Sequence, residues 1–271
     1  MGGKVFLVGA GPGDPELLTI RALRLLQSAD VILHDDLIGA QILDLASKNA
    51  HIRSVGKRCG RKKIHQEEIN TLLITYASFG LKVVRLKSGD PLLFGRAGEE
   101  IEALRKADVC FEIVPGVTSA SAAGAALGAS LTQRNKASAV VFLTSHQAAD
   151  RSTEWETYLH SGATLAIYMP GADYADTAAN LVNAGVHGET PCAIVSKAST
   201  KDQQSHRTTV HALPSAPTLP SPTILLVGEV LRQEEITLQR NSIFATPVSA
   251  EPVFDLPTFE VFADNQVFWG D

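Results

Sequence analysis

Apolar runs of strand length alternate with stretches of helical period through the first half of the chain. Val5–Val8 is a short apolar run that ends in glycines, and Glu16–Ala29 repeats leucine at helical spacing before Val31–Leu33 turns apolar again. Ile52–Val55 follows, then an amphipathic stretch from His65 to Phe79, a strand candidate at Lys82–Leu86, a helix over Ala97–Lys106 and a strand at Cys110–Val114. Brief apolar runs separated by helices are the pattern of a parallel sheet buried on both faces. The alternation predicts an α/β fold.

The pattern changes at Val114-Pro115-Gly116, where Thr118 or Ser119 is placed to cap a small-residue helix, Ala120–Leu127. Beyond it, Val140–Leu143, Thr164–Tyr168, Cys192–Val195, Arg207–His211 and Ile224–Val227 are strand-like, with helices expected only near 153–160 and 174–184. Residues 206–229 read as consecutive strands joined by a Pro/Ser loop, Pro214 to Pro222, which predicts a mixed sheet. The expected organisation is a mostly parallel α/β domain with glycine loops over 1–115, a mixed-sheet α/β domain over 116–240 and a tail over 241–271. The tail holds Pro247, Pro252, Pro257, Trp269 and five of the ten phenylalanines, with no period. It reads as a flexible extension or as an acidic-aromatic segment that docks on another surface.

Charge sharpens this picture. The net charge is −5, but the tail carries five acids and no Lys or Arg, so residues 1–240 balance 24 acids against 24 bases. A neutral body argues against a nucleic-acid or membrane-surface binder. Three cysteines without CxxC spacing (Cys59, Cys110, Cys192) give neither a disulfide framework nor a zinc site, and a reducing cytoplasm is the expected compartment. No run of apolar residues is long enough to span a membrane, and the histidines form no HExxH or close helical pair, so no metal site is expected.

Two turns carry the candidate chemistry. Gly9-Ala10-Gly11-Pro12-Gly13-Asp14-Pro15 follows the first strand, and Lys87-Ser88-Gly89-Asp90-Pro91 follows another. Glycines at a strand end let the backbone approach a ligand, and ligands of parallel sheets gather at those carboxyl ends. The dinucleotide fingerprint needs a third glycine where Asp14 stands, and Pro12 removes an amide a pyrophosphate would use. No P-loop and no G-x-S-x-G elbow is present. Asp35 and Asp36 end the second strand candidate, and Lys57, Arg58, Arg61, Lys62 and Lys63 form a basic cluster suited to a polycarboxylate or to solvent.

Together these motifs resemble the tetrapyrrole methylase family, and within it the uroporphyrinogen-III C-methyltransferases. GAGPGDPELLT at 9–19, DVILHDDL at 30–37, VGKR at 55–58, HQEEIN at 65–70, VVRLKSGDPLLFGRAGEE at 83–100, VPGVTSASAAGAALGASLTQR at 114–134 and Tyr168-Met169 occur in order, and the resemblance spans roughly residues 4–232. It implies a two-domain fold and transfer of two methyl groups from S-adenosylmethionine to ring carbons of uroporphyrinogen III. The product would be precorrin-2, formed by way of precorrin-1, for sirohaem or cobalamin biosynthesis. It further implies a homodimer with the donor between the domains and no metal. Carried over residue by residue, Pro12, Ser88, Gly89, Asp90, Leu93, Thr118, Ser119, Met169 and Ala198 bind the donor. Asp35 takes the position of proton acceptor and Lys57 that of proton donor. Arg58, Arg61 and Lys62 are expected to meet the substrate's carboxylates. Ser88, Pro170 and Ala198 depart from the family's glycines at those places, which bears on donor affinity. With the glycine motif starting at residue 9, the expected protein is the methyltransferase without an upstream dehydrogenase and ferrochelatase module. The competing readings are a later corrin-ring methylase, an rRNA ribose methylase, a nucleotide-dependent oxidoreductase with Asp35 or Asp36 on a ribose, and a binding module acting through the tail.

Overall fold

A computed structural model describes residues 2–56, 64–145 and 162–232. The first sheet has five strands, β1 (Lys4–Gly9), β2 (Val31–His34), β3 (His51–Ser54), β4 (Lys82–Lys87) and β5 (Phe111–Val114), in the order β3-β2-β4-β1-β5. Every neighbouring pair is parallel. Helices α1 (Ile20–Leu26), α2 (Ala40–Leu43), α3 (Gln66–Ser78) and α4 (Ala97–Lys106) connect them. Side chains alternate along the strands, as the two-residue period of a strand requires. Phe6, Val8, Ile32, Val84 and Leu86 pack with Ala22, Leu25 and Leu26 of α1 and Ile42 of α2. Val5, Leu7, Val31, Leu33 and Val83 face Ile69 and Leu73 of α3 and Ala97 and Leu104 of α4. The sheet is thus covered on both faces, as the apolar runs predict.

The second sheet contains β6 (Val140–Thr144), β7 (Thr164–Tyr168), β8 (Pro191–Ser196), β9 (Gln204–Thr209) and β10 (Thr223–Val227), ordered β6-β7-β10-β8-β9. β6 and β7 are parallel and the other pairs antiparallel, so the sheet is mixed. One face packs on α6 (Ala175–Asn183) through Ala178 and Leu181. The other packs on α5 (Ser119–Leu127), whose Ala120, Ala122 and Ala123 meet Ala166, Ala193 and Leu226. Alanine and glycine on that helix let it lie close to the strands.

Three local expectations change. The single helix expected over Glu16–Ala29 is a 3-10 turn, Pro15–Leu17, followed by α1. Asp14 caps the turn through Glu16 N, and Thr19 caps α1 through Ala22 N at 3.1 Å, so two capping residues divide one leucine-rich stretch. β9 begins at Gln204 instead of Arg207; its partner β8 sets its extent, and its residues are too polar to show an alternation. α2 carries no sequence signal beyond its single buried Ile42. The helix expected near 153–160 and the tail lie outside the described residues. Among the described residues, no helix is long and apolar enough to cross a membrane.

Candidate active site

The carboxyl ends of β1, β4 and β5 converge so closely that only glycines fit. A Cβ on Gly9 would stand 2.6 Å from Gly116 N and 2.7 Å from Gly89 O. The two glycine turns also bond to each other: Gly89 N donates to Gly11 O at 2.8 Å and Gly11 N to Gly89 O at 3.2 Å. Those amides are therefore committed, and the pair does not form the open amide cradle a pyrophosphate needs. Asp90 ties the second turn to the β5 exit: its carboxylate accepts from Leu92 N at 2.9 Å and Gly116 N at 3.0 Å.

Above this junction, between the two sheets, lies an open cleft. Its cavity volume is about 200 Å³. All nine residues expected to bind the donor line it: Pro12, Ser88, Gly89, Asp90, Leu93, Thr118, Ser119, Met169 and Ala198. Asp35 lines it as well. Lys57, Arg58, Arg61 and Lys62 lie outside the described residues. The departures from the family's glycines are accommodated: Ser88 has no positive φ, and Ala198 is buried in the cleft wall. Met169 takes a positive φ of 52° immediately before Pro170, and its carbonyl accepts a hydrogen bond from Ser145 Oγ. That conformation is costly for a residue with a side chain, and it faces Met169 into the cleft.

Aromatic residues close one side. Tyr168 at the end of β7 stacks at a tilt on Phe94, with centroids 4.9 Å apart, and meets Phe142 edge-on at 6.0 Å. Its hydroxyl is bonded to Thr118 Oγ1 and accepts from Ala120 N at 3.4 Å, joining the second sheet to the start of α5. Burial raises the pKa of this phenol, against the Thr118 bond. Thr118 stands at the N-cap position of α5, but its side chain bonds Tyr168 and does not cap the helix.

A buried charge cluster holds Asp35 at the cleft. Arg85 Nη2 meets Asp35 Oδ1 at 2.5 Å, and Arg85 Nε meets Glu100 Oε1 at 3.0 Å. Lys87 Nζ reaches both oxygens of Glu100, at 3.1 and 3.2 Å, and Gln66 Nε2 donates to Oε1 at 3.3 Å. Glu100 is fully inaccessible, and Arg85 and Lys87 nearly so. Burial opposes the Arg85 charge, but the carboxylates of Glu100 and Asp35 outweigh it and raise its pKa. Burial, and then the neighbouring Arg85, push the Lys87 ammonium below the usual lysine range, while Glu100 holds it up. Such an arrangement fixes Asp35 in direction by a charge-assisted bond. Sequence reasoning missed this cluster, although its signal was visible: Arg85 and Lys87 place two charges at alternate positions in a central strand whose only other charge is Lys82 at its start.

Known proteins fit this geometry. The family model of the tetrapyrrole (corrin/porphyrin) methylases matches residues 4–214. A siroheme synthase of Yersinia enterocolitica is 45% identical over 231 residues, 84% of this chain and 49% of that protein. One from Actinobacillus succinogenes is 45% identical over 85% of this chain and 49% of that protein. The chain thus spans about half the length of these curated relatives. Among solved structures, a Thermus thermophilus uroporphyrin-III C-methyltransferase complexed with S-adenosylhomocysteine superposes with a TM-score of 0.74 at 35% identity, covering 84% of this chain and 98% of that one. A cobalt precorrin-4 methyltransferase of cobalamin biosynthesis gives 0.76 at 30% identity, covering 85% and 96%.

Proposed function

Because the chain belongs to the tetrapyrrole (corrin/porphyrin) methylases, we propose that it transfers methyl groups from S-adenosylmethionine to two ring carbons of uroporphyrinogen III, giving precorrin-2. The observation that carries this reading is the convergence of all nine expected donor-binding residues on one cleft that Asp35 also lines. The similarity to a methyltransferase complexed with S-adenosylhomocysteine supports the choice of donor. The paired glycine turns suit a donor that bears no phosphate.

The bound donor supplies an electrophilic methyl group on a positively charged sulfur. The chain's own contribution is placement and charge. Glycines at the strand ends admit the ligand close to the backbone, while Tyr168, Phe94 and Met169 wall the cleft with apolar surface. Fixing two reactants in line is worth roughly 7–11 kcal/mol of a bimolecular barrier. The acceptor carbon gains the methyl while the sulfur keeps the bonding pair, so the ring becomes cationic and must lose a proton. Asp35, aimed by Arg85, faces the cleft to stabilise that cation and take the proton. Lys57 as proton donor, and Arg58, Arg61 and Lys62 as partners of the substrate carboxylates, complete the proposed site.

Release of S-adenosylhomocysteine from an anaerobic mixture of protein, donor and uroporphyrinogen III tests the reading. Two equivalents per tetrapyrrole consumed are expected. Release that needs a corrinoid ring intermediate instead would favour the second reading, a later ring methylation, which the similarity to the precorrin-4 enzyme supports. Release with neither acceptor would contradict both.

A further inference from the structure

Among the described residues, the charges at the cleft are unequal in number. Asp35, Lys87 and Asp90 line it, and Arg85 and Glu100 stand directly behind Asp35 and Lys87. Three carboxylates against two cations leave one net negative charge in this group. Glu100 does not line the cleft, yet it sets that balance: it contacts both cations and is wholly shielded from solvent. Its position follows from the fold. It lies in the first turn of α4, where Glu99 pairs outward with Arg96 at 2.7 Å while Glu100 turns inward onto β4. The stem of Lys87 passes close to Gly95, where a Cβ would stand 3.0 Å from Lys87 Cε.

This inference rests on the donor-site reading given above. We propose that Glu100 is a positioning residue that tunes the cleft for a cationic ligand: by neutralising Lys87 at the wall, it favours a sulfonium over the neutral thioether that remains after methyl transfer. Without its charge, the group becomes neutral overall and the Lys87 ammonium faces the cleft uncompensated. A sulfonium then feels that cation, whereas a thioether of nearly the same shape does not. The cluster thereby favours exchange of spent product for fresh donor.

Calorimetric titration of the full chain with S-adenosylmethionine and with S-adenosylhomocysteine, at one pH and salt concentration, isolates this effect. In Glu100→Gln, affinity for the sulfonium should fall about tenfold more than affinity for the thioether, as expected for one unit charge about 12 Å away at an effective protein dielectric near 20. Lys87→Met should move the ratio the opposite way, and the double variant should return it toward wild type. Lys87→Met keeps the test decisive if Glu100→Gln folds poorly. Equal weakening for both ligands in Glu100→Gln, or an unchanged ratio in Lys87→Met, would overturn the inference, because a purely structural role affects both ligands alike. A wild-type chain that binds neither ligand would overturn the donor-site reading itself, an outcome distinct from binding with an unchanged ratio.

Discussion

Gly9→Ala probes the junction on which the cleft stands. The new methyl group would lie 2.6 Å from Gly116 N and 2.7 Å from both Gly116 Cα and Gly89 O, all backbone atoms that no rotamer change can move. Ordinary contact begins at 3.4 Å, so the ends of β1, β4 and β5 must part by about 0.8 Å. Overpacking of this kind costs about 1–3 kcal/mol. For a chain of this size, that lowers the melting temperature by roughly 2–12 °C. The same displacement moves Gly89 and the neighbouring cleft wall, and a shift near 1 Å in a reacting geometry can cost about 100-fold in rate. Thermal unfolding and calorimetric binding of S-adenosylhomocysteine read the two effects. Gly98→Ala is the control: a Cβ there meets nothing within 4 Å, and alanine near the start of α4 should stabilise by roughly 0.5–1 kcal/mol. A Gly9→Ala protein with wild-type melting temperature and affinity would refute the claim that close backbone approach builds the site.

Three further outcomes are expected. Asp35→Ala should lower turnover by at least 100-fold, within the range for a general base, while changing donor affinity far less; normal turnover would remove Asp35 from the reaction. Tyr168→Phe deletes the hydroxyl bonded to Thr118 and should cost about 1 kcal/mol of stability with its stacking on Phe94 retained, as measured by denaturant unfolding. Burial pushes the Cys192 thiol up to about 12. At pH 8.5 it should therefore resist alkylation in the folded protein while exposed Cys110 reacts, which peptide mass mapping will show. Because the folded value is the higher one, this thiol's contribution to stability is complete below the ordinary thiol range and is lost as pH rises toward about 12.

The sheet arrangement was legible because buried strands must be apolar and crossover helices amphipathic. Val5–Val8 and Ile224–Val227 needed no context to be read. Gln204–Thr209 was misplaced because an exposed edge strand has only its partner to define it. The nine cleft residues were legible through motif resemblance, and the physics of the turns explains their types: glycines where three strand ends touch, Asp90 where two amides need an acceptor. Glu100 was not legible as a site residue, since an acidic pair in a first helical turn ordinarily serves the helix dipole. Only the fold separates Glu99, paired outward, from Glu100, buried under two cations.

Mass spectrometry of the tetrapyrrole recovered after anaerobic incubation with methyl-deuterated S-adenosylmethionine and uroporphyrinogen III addresses the central claim. A product carrying two labelled methyl groups is expected, formed only with the intact chain and nearly lost in Asp35→Ala. Unlabelled uroporphyrinogen III, recovered from a folded protein that binds the donor, would contradict it.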